Sequence, residues 1–144
     1  MATVEDLDQV IEQFDLAQGE LVKGNPEPVK EFFSHREDVT LNNPLSPPAH
    51  GWDEVVATAE RVASQFRDGE MVGFEIIEKQ VTPEFAYLVR VERTRAKVGG
   101  SEELAPIALR VTMIFRSEDG EWMIVHRHAD PITTAQPAES LIQE

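Results

Sequence analysis

Leu109-Arg110-Val111-Thr112-Met113-Ile114-Phe115-Arg116, Ser117-Glu118-Asp119-Gly120 and Glu121-Trp122-Met123-Ile124-Val125-His126-Arg127-His128-Ala129-Asp130 form the stretch that decides the fold. Side chains alternate between the faces of an extended strand, so Leu109, Val111, Met113 and Phe115 make an apolar face opposite Arg110, Thr112, Ile114 and Arg116. Ser117–Gly120 reads as a hairpin turn, since glycine accepts the positive backbone angles such turns need, and the flanking strands must then be antiparallel.

Working outward, the period of two holds from about residue 70 onward, with strands expected near 70–80, 85–97, 104–116 and 121–129. Lys97–Glu102 supplies another turn. On the 85–97 strand, Ala86, Leu88, Arg90, Glu92 and Thr94 oppose Phe85, Tyr87, Val89, Val91, Arg93 and Arg95. Such long strands imply strong twist or a bulge, expected at Pro106, which lacks an N–H for the ladder.

The first half carries helical periodicity. Thr3 with Asp6 makes a capping pair, and Val4, Leu7, Val10, Ile11, Phe14 and Leu21 share one helical face that ends near Gly19 or Gly24. Asn25-Pro26 opens a short second helix burying Val29, Phe32 and Phe33. Val39 and Leu41 mark a short strand, followed by a Pro-rich loop to His50. A third helix starts at Gly51-Trp52 and carries its apolar stripe to Phe66. The expected architecture is a single α+β domain over residues 1–144, in which a strongly curved antiparallel sheet packs on three N-terminal helices around a cone-shaped cavity; a flexible tail begins at about 134.

Thirteen Lys and Arg against 27 Asp and Glu give a net charge of −14, which repels nucleic-acid backbones and anionic membranes, so neither is an expected partner. With no cysteine, disulfides and thiolate chemistry are excluded. The acidic N-terminal stretch lacks the pattern of a secretory signal, and the expected location is cytoplasmic.

The 109–130 stretch, the order of helices and strands, and the passage Asp38-Val39-Thr40-Leu41-Asn42-Asn43-Pro44 ending at Gly51 together resemble a SnoaL-like domain of the ketosteroid isomerase and nuclear transport factor 2 superfamily. The resemblance covers nearly the whole chain and implies a conical pocket and a homodimer, but its members span isomerases, cyclases, dehydratases, hydrolases and proteins without a known reaction. Where the isomerases hold a carboxylate base just before the proline of this passage, this chain has Asn43, whose carboxamide takes no proton at neutral pH. The isomerases' tyrosine on the first helix is also missing, and Tyr87 falls on a strand.

The candidate chemical groups each have a structural alternative. In an unbroken strand Trp122, Ile124, His126 and His128 share one face, with Met123, Val125, Arg127 and Ala129 on the other. His126 and His128 suit acid–base work near neutral pH, or hydrogen-bond across the sheet and anchor its end. Asp15 at the edge of the first helix's apolar stripe is a general base or a histidine's orienting partner, or a solvated flank residue, while Gln18 offers the cavity an amide. Arg90 and Arg110 either hold a ligand's negative charge or pair with Glu92 or Glu75 in a cross-strand ion network. Asn42 lines the cavity or caps a turn, and Trp52 stacks on a ligand or anchors the third helix. His-x-His needs a third converging ligand, and nothing brings Asp130 or His50 to that position, so neither metal nor cofactor is expected. No nucleotide loop or serine-hydrolase elbow occurs. Three functions stay open: a metal-independent acid–base enzyme acting on a small apolar or mildly anionic organic substrate, a non-catalytic binder of such a ligand, or a homo-oligomerisation and interaction domain.

Overall fold

The computed structural model describes residues 2–143. α1 (Val4–Leu21) starts with the expected cap: Asp6 N–H donates to Thr3 Oγ1 at 3.1 Å and Thr3 N–H to Asp6 Oδ2 at 3.0 Å, so two helix-end donors are satisfied reciprocally. Leu7, Phe14, Ala17 and Gln18 face inward. The helix runs through Gly19 and reverses at Gly24, whose φ of +101° suits glycine.

α2 (Glu27–Lys30) is one turn, shorter than the helix expected to hold Phe32 and Phe33. The backbone there pairs with a strand instead: Ile124 N–H donates to Phe32 O and Ser34 N–H to Ile124 O, each at 2.8 Å. β1 (Thr40–Asn42) and the two-residue β2 (Ala49–His50) precede α3 (Trp52–Ala63). Phe66, expected on that last helix, instead opens β3 (Phe66–Val81). β4 (Phe85–Val98), β5 (Ala105–Glu118) and β6 (Glu121–Asp130) complete the sheet.

Among the described residues the strands form one curved, unclosed sheet in the order β2-β1-β6-β5-β4-β3, with β1 parallel to β6 and the other pairs antiparallel. Asp119 and Gly120 turn the last hairpin with φ of 53° and 85°, the two positive angles of a tight primed turn. Curvature comes from three register shifts in β3 and one between β5 and β6, and not from Pro106. Pro106 pairs with Arg95 on one side, while its other side lies beyond the last β6 partner, Asp130 opposite Arg110; a missing N–H is tolerated at such an edge.

The helices cover one face of the sheet. Leu88, Val111, Met113, Phe115, Trp122 and Ile124 pack there with Leu7, Phe14, Val39 and Val55 in a continuous apolar core. Burying each such side chain contributes roughly 1.5–3 kcal/mol, which makes this face the main source of stability. No helix among the described residues is long and apolar enough to cross a membrane.

Candidate functional site

The inner face of β4 follows its alternation through Ala86, Leu88, Arg90, Glu92, Thr94 and Ala96, all buried. Two of these carry full charges, and at 1% and 2% exposure Arg90 and Glu92 require partners. Arg90 donates from Nε to Glu92 Oε2 at 3.0 Å, and its Nη1 and Nη2 grip Asp15 of α1 at 3.1 and 2.6 Å. Arg127 of β6 donates from Nη1 to Glu92 Oε2 at 3.0 Å and from Nη2 to Glu92 Oε1 at 2.7 Å and Gln18 Oε1 at 3.0 Å. Phe74 and Phe14 face the two guanidinium carbons at 4.2 and 5.6 Å from their ring centroids. Two cations thus balance two carboxylates on the helix-covered side of the sheet.

The carboxylates are tuned in opposite directions. Burial alone would raise the Glu92 pKa, but the charges and hydrogen bonds of Arg127 and Arg90 outweigh it and hold the group at about 2. For Asp15 burial wins over the Arg90 hydrogen bonds and charge, and its pKa is raised. Asp15 is also the acidic member of this network that reaches solvent, with 20% of its side chain exposed. It lines a cleft of about 720 Å³ between α1, α2 and the start of β3. Leu16, Ala17, Phe32 and Met71 give the cleft apolar walls, and Glu20, Glu31, Glu70 and Lys23 its charged rim.

The histidines lie on the other side of the sheet. Ile124 pairs with Phe115, and His126 with the adjacent Ile114, so Val125 is an extra residue in a bulge that reverses the alternation. The expectation that His126 and His128 share a face with Trp122 and Ile124 is therefore corrected: beyond the bulge, Arg127 and Ala129 continue the inner face and both imidazoles turn outward. His126 Nδ1 lies 2.8 Å from Thr40 Oγ1, and its pKa is lowered first by burial and then by the neighbouring His128. His128 Nε2 is 3.1 Å from Asp130 Oδ2, and Arg110 Nε donates to Asp130 Oδ1 at 2.7 Å.

The candidate residues thus separate into two groups. Asp15, Gln18 and Arg90 meet inside the cone, while His126, His128, Arg110 and Asn42 lie on the outer face, where Asn42 and His128 line a second cleft of about 530 Å³. Asp15 is held by Arg90, and no imidazole is its hydrogen-bond partner among the described residues. Arg90 pairs with Glu92 along its own strand rather than across strands, and Glu75 pairs with Arg93. Trp52 stacks on His35, with ring centroids 3.7 Å apart, and packs against the core. Asn43 Oδ1 caps the loop by accepting from Leu45 N–H at 2.7 Å. Arg127 was missed because of the bulge; its one signal was Glu92, an acid on an apolar face that calls for cationic partners. Among the described residues, no group of three or more His, Asp or Glu side chains is placed to hold a metal ion.

Comparison with solved structures gives matches over almost the full chain. A ketosteroid isomerase-like protein from Erwinia carotovora atroseptica is 18% identical with a TM-score of 0.72, covering 88% of this chain and 94% of that one. A proposed dehydratase of the nuclear transport factor 2-like family from Streptomyces avermitilis is 18% identical with a TM-score of 0.73, covering 91% and 96%. A proposed calcium/calmodulin dependent protein kinase II association domain from Xanthomonas campestris is 15% identical with a TM-score of 0.70, covering 94% and 91%. At these identities the likeness is one of fold. No curated protein matches the chain. The model of the SnoaL-like domain matches residues 22–133, and with the cone of helices and curved sheet it shows that this chain belongs to the SnoaL-like domain family.

Proposed function

We propose that this domain binds a small, largely apolar organic molecule in the cleft between α1, α2 and β3, with Asp15 as the group that accepts its hydrogen bond or proton. The observation that carries the reading is the position of Asp15: bound to a buried charge network, yet one-fifth exposed at an apolar-walled cleft of about 720 Å³. A carboxylate with a raised pKa in such a place is suited to metal-independent acid–base chemistry, and Arg90 fixes its orientation. Glu20, Glu31 and Glu70 against Lys23 favour a neutral ligand over the mildly anionic one the sequence left open. Ligand-observed NMR with neutral aromatic alcohols and ketones tests it. Binding that disappears in Asp15→Asn and in the cleft-narrowing Leu16→Trp supports the assignment, and binding indifferent to both contradicts it.

A second reading rests on a separate observation. The outer face of β4 leaves Phe85 and Tyr87 47% and 40% exposed, and it continues through Val89, Val91 and Ile114. Apolar sheet surface of this kind supports self-association of two copies back to back, and the likeness to kinase association domains points the same way. Light scattering should give a dimer mass in the micromolar range; a monomer throughout would overturn this reading.

A further inference from the structure

Glu92 is the meeting point of the buried network, and its two oxygens are served unequally. Among the described residues Oε1 accepts from Arg127 Nη2 alone, at 2.7 Å, whereas Oε2 takes Arg127 Nη1 at 3.0 Å, Arg90 Nε at 3.0 Å and Arg90 Nη2 at 2.9 Å. Arg90 is therefore a shared donor: Nε and Nη2 reach Glu92, while Nη1 and the same Nη2 reach Asp15 at 3.1 and 2.6 Å. Gln18, one turn after Asp15 on α1, accepts from Arg127 Nη2 at 3.0 Å, so its carbonyl is tied to the network and not to a ligand. Asp15 is the carboxylate that lines the cleft, whereas the side chains of Glu92 and Arg127 are only 2% and 10% exposed.

A carboxylate as deeply buried as Glu92 stays charged only while cations compensate it. With both guanidiniums in place, Arg127 meets Glu92 at two points and Arg90 keeps two N–H groups on Asp15. Without Arg127, Arg90 is the one cation left on Glu92, and its hold on Asp15 weakens. Without the Glu92 charge, Arg90 belongs to Asp15 alone. The fields act in the same sense. Burial is the largest cause of the raised Asp15 pKa; the Arg90 hydrogen bonds and charge oppose it, the Glu92 charge adds to it, and the Arg127 charge opposes it with a smaller effect. Phe74 and Phe14 lie over the two guanidiniums, so these charges act on one another with little screening by water. Glu20, Glu31, Glu70 and Lys23 also face the Asp15 cleft, and the substitutions that test the network leave all four in place.

We propose that Glu92 and Arg127 are positioning residues for Asp15: the two-point Arg127 bond holds Glu92 so that Arg90 stays divided between the two carboxylates, and that division sets how readily Asp15 gives up its proton. This rests on the reading of Asp15 as the acid–base group of the cleft. The strength of that acid is thereby set from β4 and β6, by a buried pair that does not touch the ligand.

Carbon-detected NMR of the Asp15 carboxyl without ligand, from about pH 3 to 8, tests it, with Asp15→Asn identifying the signal. Arg127→Gln should raise the Asp15 midpoint by about one pH unit and Glu92→Gln should lower it by about as much. Arg127→Lys, which keeps the charge, should bring the midpoint back toward that of the wild type. Each neutralising single change leaves a buried charge unpaired, so Glu92→Gln with Arg127→Gln, which removes the pair whole, carries the test if a single variant does not fold. Its midpoint should lie below that of the wild type and above that of Glu92→Gln, because the lost Glu92 charge outweighs the lost Arg127 charge at Asp15. Midpoints that move the same way in both single variants, or a double variant at or above the wild-type midpoint, would overturn the proposal. Opposite shifts without any binding of the neutral aromatic alcohols would defeat the ligand reading and leave the control of Asp15 standing; binding without the shifts would do the reverse.

Discussion

Arg127 and Glu92 form a two-point ion pair beneath α1, Nη2 to Oε1 at 2.7 Å and Nη1 to Oε2 at 3.0 Å, and Arg90 holds the same carboxylate from the other side at 3.0 Å. Charges this deeply buried are tolerated because each has its partner, and removal of one partner leaves the rest uncompensated. Glu92→Gln should therefore destabilise the domain by about 3–5 kcal/mol in urea unfolding. A loss below about 1 kcal/mol, the size of an exposed pair, would mean the network is solvated.

The same carboxylate sets an acid limb. Its pKa of about 2 in the folded chain lies below its ordinary value of 4.5, so its stabilisation is present above pH 4.5 and is lost as pH falls toward 2. The contribution is on the order of 3 kcal/mol. Asp15 acts with the opposite sign: its folded pKa is raised above 3.8, so its proton favours the folded state in acid and that contribution is lost as pH rises through the raised value. Unfolding free energy measured from pH 6 to 2 should fall, and Asp15→Asn should make the fall steeper. A flat profile would contradict the tuning of Glu92.

Close packing of α1 on β3 runs through a glycine. A Cβ on Gly69 would lie 2.6 Å from Val22 O and 2.7 Å from Val22 Cβ, and the backbone cannot yield, since Gly69 N–H bonds the same oxygen at 3.0 Å. Gly69→Ala should cost about 1–3 kcal/mol. Gly73→Ala, with nothing within 4 Å, should stay within about 0.5 kcal/mol, and equal midpoints for the two would refute the contact.

The bulge at Val125 decides which charges enter the core. Deleting Val125 sets His126 directly after Ile124 in a regular ladder that keeps Arg127 inward and His126 and His128 outward. The deletion should therefore keep a cooperative thermal transition, as should Val125→Ala. A deletion variant without a cooperative transition would contradict the reading of Val125 as the extra residue.

Much of this architecture was legible because it depends on local alternation. The faces of β4 and β5 follow from Leu88, Arg90 and Glu92 and from Val111, Met113 and Phe115, and the hairpin turn at Asp119-Gly120 follows from glycine. What was not legible depends on pairing partners. Val125 carries no sign of being an extra residue until Phe115 and Ile114 are seen opposite Ile124 and His126. Phe32 leaves its helical pattern because Ile124 offers it a backbone hydrogen bond, and Phe66 leaves α3 to pair with Val98. The candidate site divided for the same reason: Asp15 and Arg90 were readable as candidates for the cavity with the inward face of β4 left open, and their companion Arg127 was hidden behind the bulge, which also carried the histidines away.

The central claim is that the ligand-binding position lies at Asp15, on the helix side of the sheet. A crystal structure of the chain soaked with the neutral aromatic alcohol that binds most tightly in the NMR screen tests it most directly. The account predicts that molecule between Leu16, Phe32 and Met71 with its hydroxyl within hydrogen-bond distance of the Asp15 carboxylate. Density for it beside His128 and Asn42 on the outer face, with the Asp15 cleft empty, would contradict the account.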